Sequence, residues 1–358
     1  LLLEAGANPN AAVGNRFPPH SLEHPGDRLT AIYGAAGRLH DPEMTRLLLE
    51  AGADPNDNES LYHSLEDHDR SLPCTRLLLA AGTRVAGTNA LAHVLDYDHF
   101  DGLTWLLAQT PPGAEDMNRL LGWALHRQRS ARHVQALLAA GADANLRLHN
   151  GISAYKAAAM SGLQDVADLL QQAGAGESLS VTEEFLAACA RADASRARAL
   201  LAGHSGLIAS LSAAELRHLP LAAMIGLDDA VRLMVSLGWP VAVRGGDIDG
   251  SALNWAVFRG NPSLAAFLLD HGASWRERHG YNSDVLGTLS WASLNEPRDD
   301  GDWHACAEVL LAHGLPRATR MEAADPTSPY VRVKIDGREL TFADDVADVL
   351  LEEQPPPA

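Results

Sequence analysis

The chain has 358 residues and carries 28 Lys and Arg against 46 Asp and Glu, a formal net charge of −18. With 46% hydrophobic residues it can bury a large core, which excludes intrinsic disorder as a class. The acidic balance argues against nucleic acid and anionic membrane as partners, and no run of about 18 apolar residues offers a membrane span.

The chain opens Leu1-Leu2-Leu3-Glu4-Ala5-Gly6-Ala7-Asn8-Pro9-Asn10 without Met, which reads as the second half of a repeat. The sequence is therefore expected to be a fragment or to lack its first residues. Residues 11–27, with Pro18-Pro19 and Pro25-Gly26, form a long finger. The opening then returns almost unchanged as Leu47-Leu48-Leu49-Glu50-Ala51-Gly52-Ala53-Asp54-Pro55-Asn56. Further copies stand at Leu77 to Gly82, Leu137 to Asn145, Leu268 to Ala273 and Leu310 to Gly314, with degenerate ones between. Taking the helix-ending Gly, or Thr110 in its place, markers fall at 6, 52, 82, 110, 141, 174, 203, 238, 272 and 314, at intervals centred near 33.

Each unit repeats one grammar. A turn rich in Gly, Asp and Asn precedes a short Ala-rich helix, as in Thr30 to Ala36 and Ser251 to Val257. A second turn (Gly260-Asn261) leads to a helix ending in Leu-Leu, where Gly stops it by adopting a positive φ cheaply. Such a unit cannot bury its own apolar face, so stacking is required. The second helices, with Met44, Leu47 and Leu48 in the first full unit, should turn their apolar stripe to the stack.

The C-terminal stretch differs. Tyr330 to Leu340 alternates apolar and polar residues around Asp336-Gly337, a hairpin signature. Thr341 to Glu352 reads as an amphipathic helix with a Thr cap, and Pro355-Pro356-Pro357 ends it. Residues 316–358 are accordingly expected to form a cap on a repeat array spanning 1–315.

The period, the paired small residues and the Leu-Leu-x-x-Gly-Ala-Asp-x-Asn endings together resemble the ankyrin repeat family, and the resemblance suggests a bacterial member with degenerate repeats. It covers roughly residues 1–315. It implies an all-α solenoid of about nine helix pairs, closed by a small C-terminal hairpin and helix. The family's first helix usually opens Thr-Pro-Leu-His, whose Thr and His tie adjacent turns. Here the His position reads Tyr33, Tyr62, Ala92, Lys156, Pro220, Asn254 and Ser290, so that network is expected to be missing.

Several clusters carry possible chemistry. His20-Ser21-Leu22-Glu23-His24 matches His-x-x-Glu-His, the inverted zinc-peptidase motif, but Pro18-Pro19 and Pro25 leave room for barely one helical turn, and a surface finger is the better reading. His63 and His93 stand just before the paired small residues, a position that packs between helices. His99 and His68 fall in the turn between helices, and His126 lies one unit on. Together with Glu66, Asp67 and Asp96 these leave one alternative open, a metal- or small-molecule-dependent enzyme built on units two to four. Asp247-Ile248-Asp249-Gly250 lacks the first acidic ligand and the distal Glu of a calcium loop, so it reads as a turn. No phosphate-cradling loop is present, and Gly203-His204-Ser205-Gly206 lacks the spacing of a nucleophile elbow. Trp255 and Trp291 share one repeat position and read as core filling between units. Trp239 and Trp275 follow second helices and are expected to be partly exposed. Cys74, Cys189 and Cys306 are odd in number and far apart, which excludes a disulfide scaffold and suggests a reducing, cytoplasmic setting. Cys189 and Cys306 sit in Ala-rich helical stretches as buried small hydrophobes would.

No metal, cofactor or catalytic constellation is expected. The resemblance implies a non-enzymatic module that binds a protein on its concave face. In this chain that face is read at the two residues after the paired small ones: Glu66-Asp67, Asp96-Tyr97, His126-Arg127, Met224-Ile225 and Phe258-Arg259. Units two and three give an acidic patch suited to a basic partner. The late units give an apolar and basic one. By analogy alone, an acidic binder of this kind suits a toxin-neutralising or regulatory role.

Overall fold

The computed structural model describes residues 2–14, 28–57, 59–67, 69–111, 113, 115–295, 301–321 and 330–351. It is mostly helical, with three small antiparallel sheets among the described residues. Two compact units divide the chain, one of residues 1–158 and 163–177, the other of residues 159–162 and 178–358.

In the first unit, β1 (Ala12–Gly14) pairs with β2 (Arg28–Thr30) at the base of the expected finger, whose residues 15–27, including His20, Glu23 and His24, lie outside the described residues. Helix pairs follow. α1 (Ala31–Tyr33) runs on into a π-helical turn at Gly34–Arg38 and is followed by α2 (Pro42–Glu50). α3 (Ser60–His63), extended by a 3-10 turn at Ser64–Glu66, precedes α4 (Pro73–Ala80). α5 (Ala90–Asp96) precedes α6 (Phe100–Ala108), α7 (Met117–His126) precedes α8 (Ala131–Ala139), and α9 (Ala154–Met160) precedes α10 (Gln164–Leu170). First helices pack on first helices, as α5 on α7, and second on second, as α6 on α8 and α2 on α4. Leu65, Leu78, Leu95, Leu106, Leu125 and Leu137 are buried along this seam. Leu48 joins it, but Met44 and Leu47 are 45% and 40% exposed, against expectation. Among the described residues α2 packs against α4 and has no second helix on its other side.

The second unit continues the pattern. α11 (Val181–Ala190) and α12 (Ala194–Gly203) form a pair, and the short α13 (Ala213–Leu216) leads to α14 (His218–Ile225) and α15 (Asp228–Ser236). β3 (Arg244–Gly245) and β4 (Gly250–Ser251) flank a turn containing Asp247-Ile248-Asp249. α16 (Ala252–Phe258) pairs with α17 (Pro262–Asp270), and α18 (Val285–Asn295) with α19 (Trp303–Ala312). β5 (Thr319–Arg320), β6 (Tyr330–Ile335) and β7 (Arg338–Ala343) make the last sheet, and α20 (Asp344–Leu351) follows. The hairpin turns at Asp336-Gly337, both residues left-handed, as a two-residue type I′ turn requires. The final helix begins at Asp344 rather than Thr341, because Thr341 to Ala343 extend the ladder opposite Tyr330 to Arg332. β7 packs on α18 and α20 on α19, so hairpin and helix cover the last helix pair.

Local chemistry explains these boundaries. Asp41 accepts from the Met44 N–H at the start of α2, with Pro42 at its first position, and Ser180 and Glu183 form a reciprocal capping box on α11. At the end of α2 the Gly52 N–H donates to the Leu49 carbonyl and the Ala53 N–H to the Leu48 carbonyl, with Gly52 at φ 88°. Gly203 breaks the expected series. It closes α12 in helical conformation, and the left-handed residue comes three positions later at Gly206.

Candidate interaction surface on the first helices

In the first unit the expected acidic positions lie beside histidines. His63 donates from Nε2 to Glu59 Oε2 at 3.1 Å and from Nδ1 to Glu66 Oε1 at 2.9 Å. His93 donates from Nε2 to the same Glu66 oxygen at 3.1 Å and from Nδ1 to Asp96 Oδ2 at 3.3 Å. Asp96 Oδ1 accepts from Trp123 Nε1 at 3.0 Å and from Arg127 Nε at 2.7 Å. The result is a row of alternating charge, Glu59, His63, Glu66, His93, Asp96 and Arg127, running from α3 through α5 to α7.

Both nitrogens of each imidazole face a carboxylate oxygen. A neutral ring would set a lone pair against an ionised carboxylate oxygen, so the geometry favours the imidazolium form at both positions. Hydrogen bonds to Glu59 and Glu66 accordingly raise His63 to about 9. Burial works against charge on His93, but its bonds to Asp96 and Glu66 carry the pKa above the ordinary value. Burial would likewise raise Glu66, yet the two histidines hold it at about 2. Asp96 is lowered in the same way: burial opposes the shift, and His93 and Arg127 outweigh it. Asp67 is buried, and its Oδ1 accepts from the Asp69 N–H. The patch expected to be acidic is therefore internally compensated. Both ring nitrogens of His63 and of His93 are engaged with carboxylate oxygens. Among the described residues no group of three or more His, Cys, Asp or Glu side chains is placed to hold a metal ion.

Rings extend this row. Tyr62 stacks on His93 with centroids 3.6 Å apart, and Tyr33 meets His63 edge-on at 5.2 Å. Tyr97 meets His93 edge-on at 5.1 Å and remains 42% exposed. Arg127 lies over Trp123 at 4.6 Å, and His126 is exposed beside it. The Tyr33–His63 and Tyr62–His93 contacts cross from one helix pair to the next and so tie neighbouring pairs where the Thr and His of the family pattern are missing. In the second unit Thr288 Oγ1 donates to Asn254 Oδ1 at 2.8 Å, another tie between neighbouring pairs.

The other expected patch lies in the second unit. Met224 and Ile225 close α14 and are half-buried, as is Phe258 at the end of α16. Arg259 donates to Asp228 Oδ1 at 3.2 Å and lies over Gly226, where a side chain would meet the guanidinium. Trp255 is buried and donates to the Gly245 carbonyl at 2.9 Å. Trp291, expected in the core, is instead 50% exposed and stacks on Phe258 with centroids 5.5 Å apart and an interplanar angle of 13°. Trp239 and Trp275, expected to be partly exposed, are buried. Trp239 donates to the Leu216 carbonyl and stacks on Phe185, and Trp275 lies under Arg276. Indole position cannot be read from helix phase when residues outside the helix supply the cover. The second-unit set and the first-unit set lie in separate compact units.

No helix among the described residues is long and apolar enough to cross a membrane. No protein-family model matches the chain, and no curated protein does. Among solved structures, the crystal structure of the human ASB11 ankyrin repeat domain is 21% identical, aligned over 64% of this chain and 99% of that one with a TM-score of 0.28.

Proposed function

We propose that the chain is a non-enzymatic protein-interaction module of the ankyrin-repeat type, with an array over residues 1–315, a cap over 316–358 and a cytoplasmic location. The observation that carries the reading is the exposure of large rings on first helices, Tyr97 in one unit and Trp291 on Phe258 in the other. Folding gains little from leaving such side chains in water, whereas interfaces are enriched in them. Helix pairs closed by left-handed glycines at Gly52, Gly82, Gly141, Gly238, Gly272 and Gly314 support the repeat assignment. The partner carries a basic patch and is drawn by the net charge of −18. Tyr97, His126, Arg127, Met224, Ile225, Phe258 and Arg259 line the docking positions, with Glu66, Asp67 and Asp96 supporting them from beneath.

Affinity capture from the native cell, followed by titration of the captured partner, tests this. Tyr97→Ala or Phe258→Ala should weaken binding about 30-fold, as loss of a buried anchor does. Glu43→Ala on the second-helix side, where Glu43 pairs with Arg46 at the surface, should leave it unchanged. Equal effects at all three positions, or none, would overturn the assignment of the face.

A further inference from the structure

We propose that the Phe258–Trp291 pair receives an arginine side chain from a basic segment of the partner. The proposal rests on the interaction-module reading and names the group that docks. Arginine is a recurrent partner of the half-buried and buried Trp and Phe rings in this chain. Arg76 lies over Trp105 at 5.5 Å, Arg127 over Trp123 at 4.6 Å and Arg132 over Phe100 at 4.7 Å in the first unit. Arg232 lies over Phe267 at 4.7 Å and Arg276 over Trp275 at 4.0 Å in the second. Of the seven tryptophans Trp291 alone is exposed, at 50%, and among the described residues no arginine lies over it.

Its orientation suits a planar cation. Stacking on Phe258 at 13° fixes the indole and leaves its outer face to solvent. The same helix position behaves differently elsewhere. Trp123 gives its N–H to Asp96 of the preceding pair and Trp255 to a loop carbonyl, whereas Trp291 meets Phe258 there, and its N–H has no acceptor among the described residues. The nearest docking-face arginine, Arg259, is committed to Asp228 and the Ala223 carbonyl. Charge points the same way, since a chain of net charge −18 attracts cations from a distance. A guanidinium stacks flat on an aromatic face more readily than the compact, strongly hydrated ammonium of lysine.

The test uses the full chain carrying 5-fluorotryptophan, with the Trp291 fluorine signal assigned from Trp291→Phe. The probes are synthetic ten-residue peptides alternating Gly with Arg, with Lys or with Pro. The arginine peptide should shift the Trp291 signal, and the lysine peptide should bind several-fold more weakly. Trp291→Ala should reduce affinity about tenfold. Trp291→Leu, which keeps apolar bulk without a π face, should do the same. The proposal fails if the proline or lysine peptide binds as tightly as the arginine one, or if both Trp291 variants bind like wild type. It also fails if the arginine peptide moves only first-unit signals such as Trp123, in which case the interaction-module reading stands without it.

Discussion

Trp123 Nε1 donates to Asp96 Oδ1 at 3.0 Å, and this is the bond, one helix pair further on, that His93 gives to Glu66 at 3.1 Å. The ring stands three residues before the end-of-helix position, and its acceptor stands at that position in the preceding pair. At the next such step back, His63 meets Gly37, where an added Cβ would come within 2.8 Å of the His63 Cβ. In the second unit Trp291 meets Phe258 by the same rule. One register thus fixes which residues touch between pairs, and the residue types decide whether the contact is ionic, steric or aromatic.

Gly37→Ala should therefore act across the pair boundary. Its backbone needs no glycine on conformational grounds, so the cost is the overlap with His63, about 1–3 kcal/mol as for other overpacked sites. Urea denaturation of the variant measures it, and an unchanged midpoint would show that His63 moves aside freely.

Glu66→Gln should remove the negative charge shared by two imidazolium rings while keeping an oxygen acceptor. Stability of the first unit should fall by about 2 kcal/mol, and His63 and His93 should titrate closer to the ordinary histidine range. Proton NMR titration of the two ring signals checks the second point independently of stability. Glu66→Lys would break the same row and set three cations together, so it reads on folding before it reads on association.

The row also sets a pH window. His63 is raised from 6.5 to about 9, so its stabilisation is complete below 6.5 and is lost as pH rises through about 9. Glu66 is lowered from 4.5 to about 2, so its contribution is complete above 4.5 and is lost as pH falls through about 2. His99 and His133 have the opposite sign to His63. Burial lowers both, so each favours folding above 6.5 and costs stability as pH falls below it. Thermal melts from pH 5 to 10 should show a midpoint that rises with pH on the acid side and falls on the alkaline side. In Glu66→Gln the alkaline fall should be blunted.

Arg338→Ala should loosen the C-terminal hairpin from the second unit. Arg338 donates to both oxygens of Asp284, at 3.1 and 2.8 Å, and the Asp284 side chain is nearly buried. Removing the guanidinium leaves that carboxylate unpaired, a change that costs about 3 kcal/mol at buried sites. Faster hydrogen exchange in β6 and β7, with α11 and α12 unaffected, is the expected signature.

Cys189 and Cys306 should resist alkylation at pH 8 in the folded chain. Burial pushes both thiols up to about 12, so almost no thiolate is present. Reaction with iodoacetamide should follow unfolding; rapid native-state labelling at either position would contradict the packing.

The helix pairs were legible because their signals are local. The left-handed glycines after Leu-Leu, the Asp and Ser caps and the Asp336-Gly337 turn each act within a few residues. The site was legible only in part. His63, His93, Glu66 and Asp96 were visible as a cluster, but their mutual neutralisation depends on which ring nitrogen reaches which oxygen across two pairs. Trp255 and Trp291 share a repeat position and differ in burial, because the loop at Gly245 and Gly246 covers the first. Trp239 is buried because Phe185 of α11 and the Leu216 carbonyl, distant in sequence, meet its ring, and Trp275 is buried with its own neighbour Arg276 laid over it.

The His63 ring also leaves a calorimetric trace. Near pH 8 a histidine in the unfolded chain has already lost its proton, whereas His63, raised to about 9, holds its own while the first unit is folded. Melting at that pH hands this proton to the solvent, and the buffer absorbs it with its own heat of ionisation. The apparent enthalpy of unfolding in Tris should differ from that in phosphate at equal midpoint temperature, and the gap should narrow once Glu66 is replaced by glutamine, with Glu59 still holding His63.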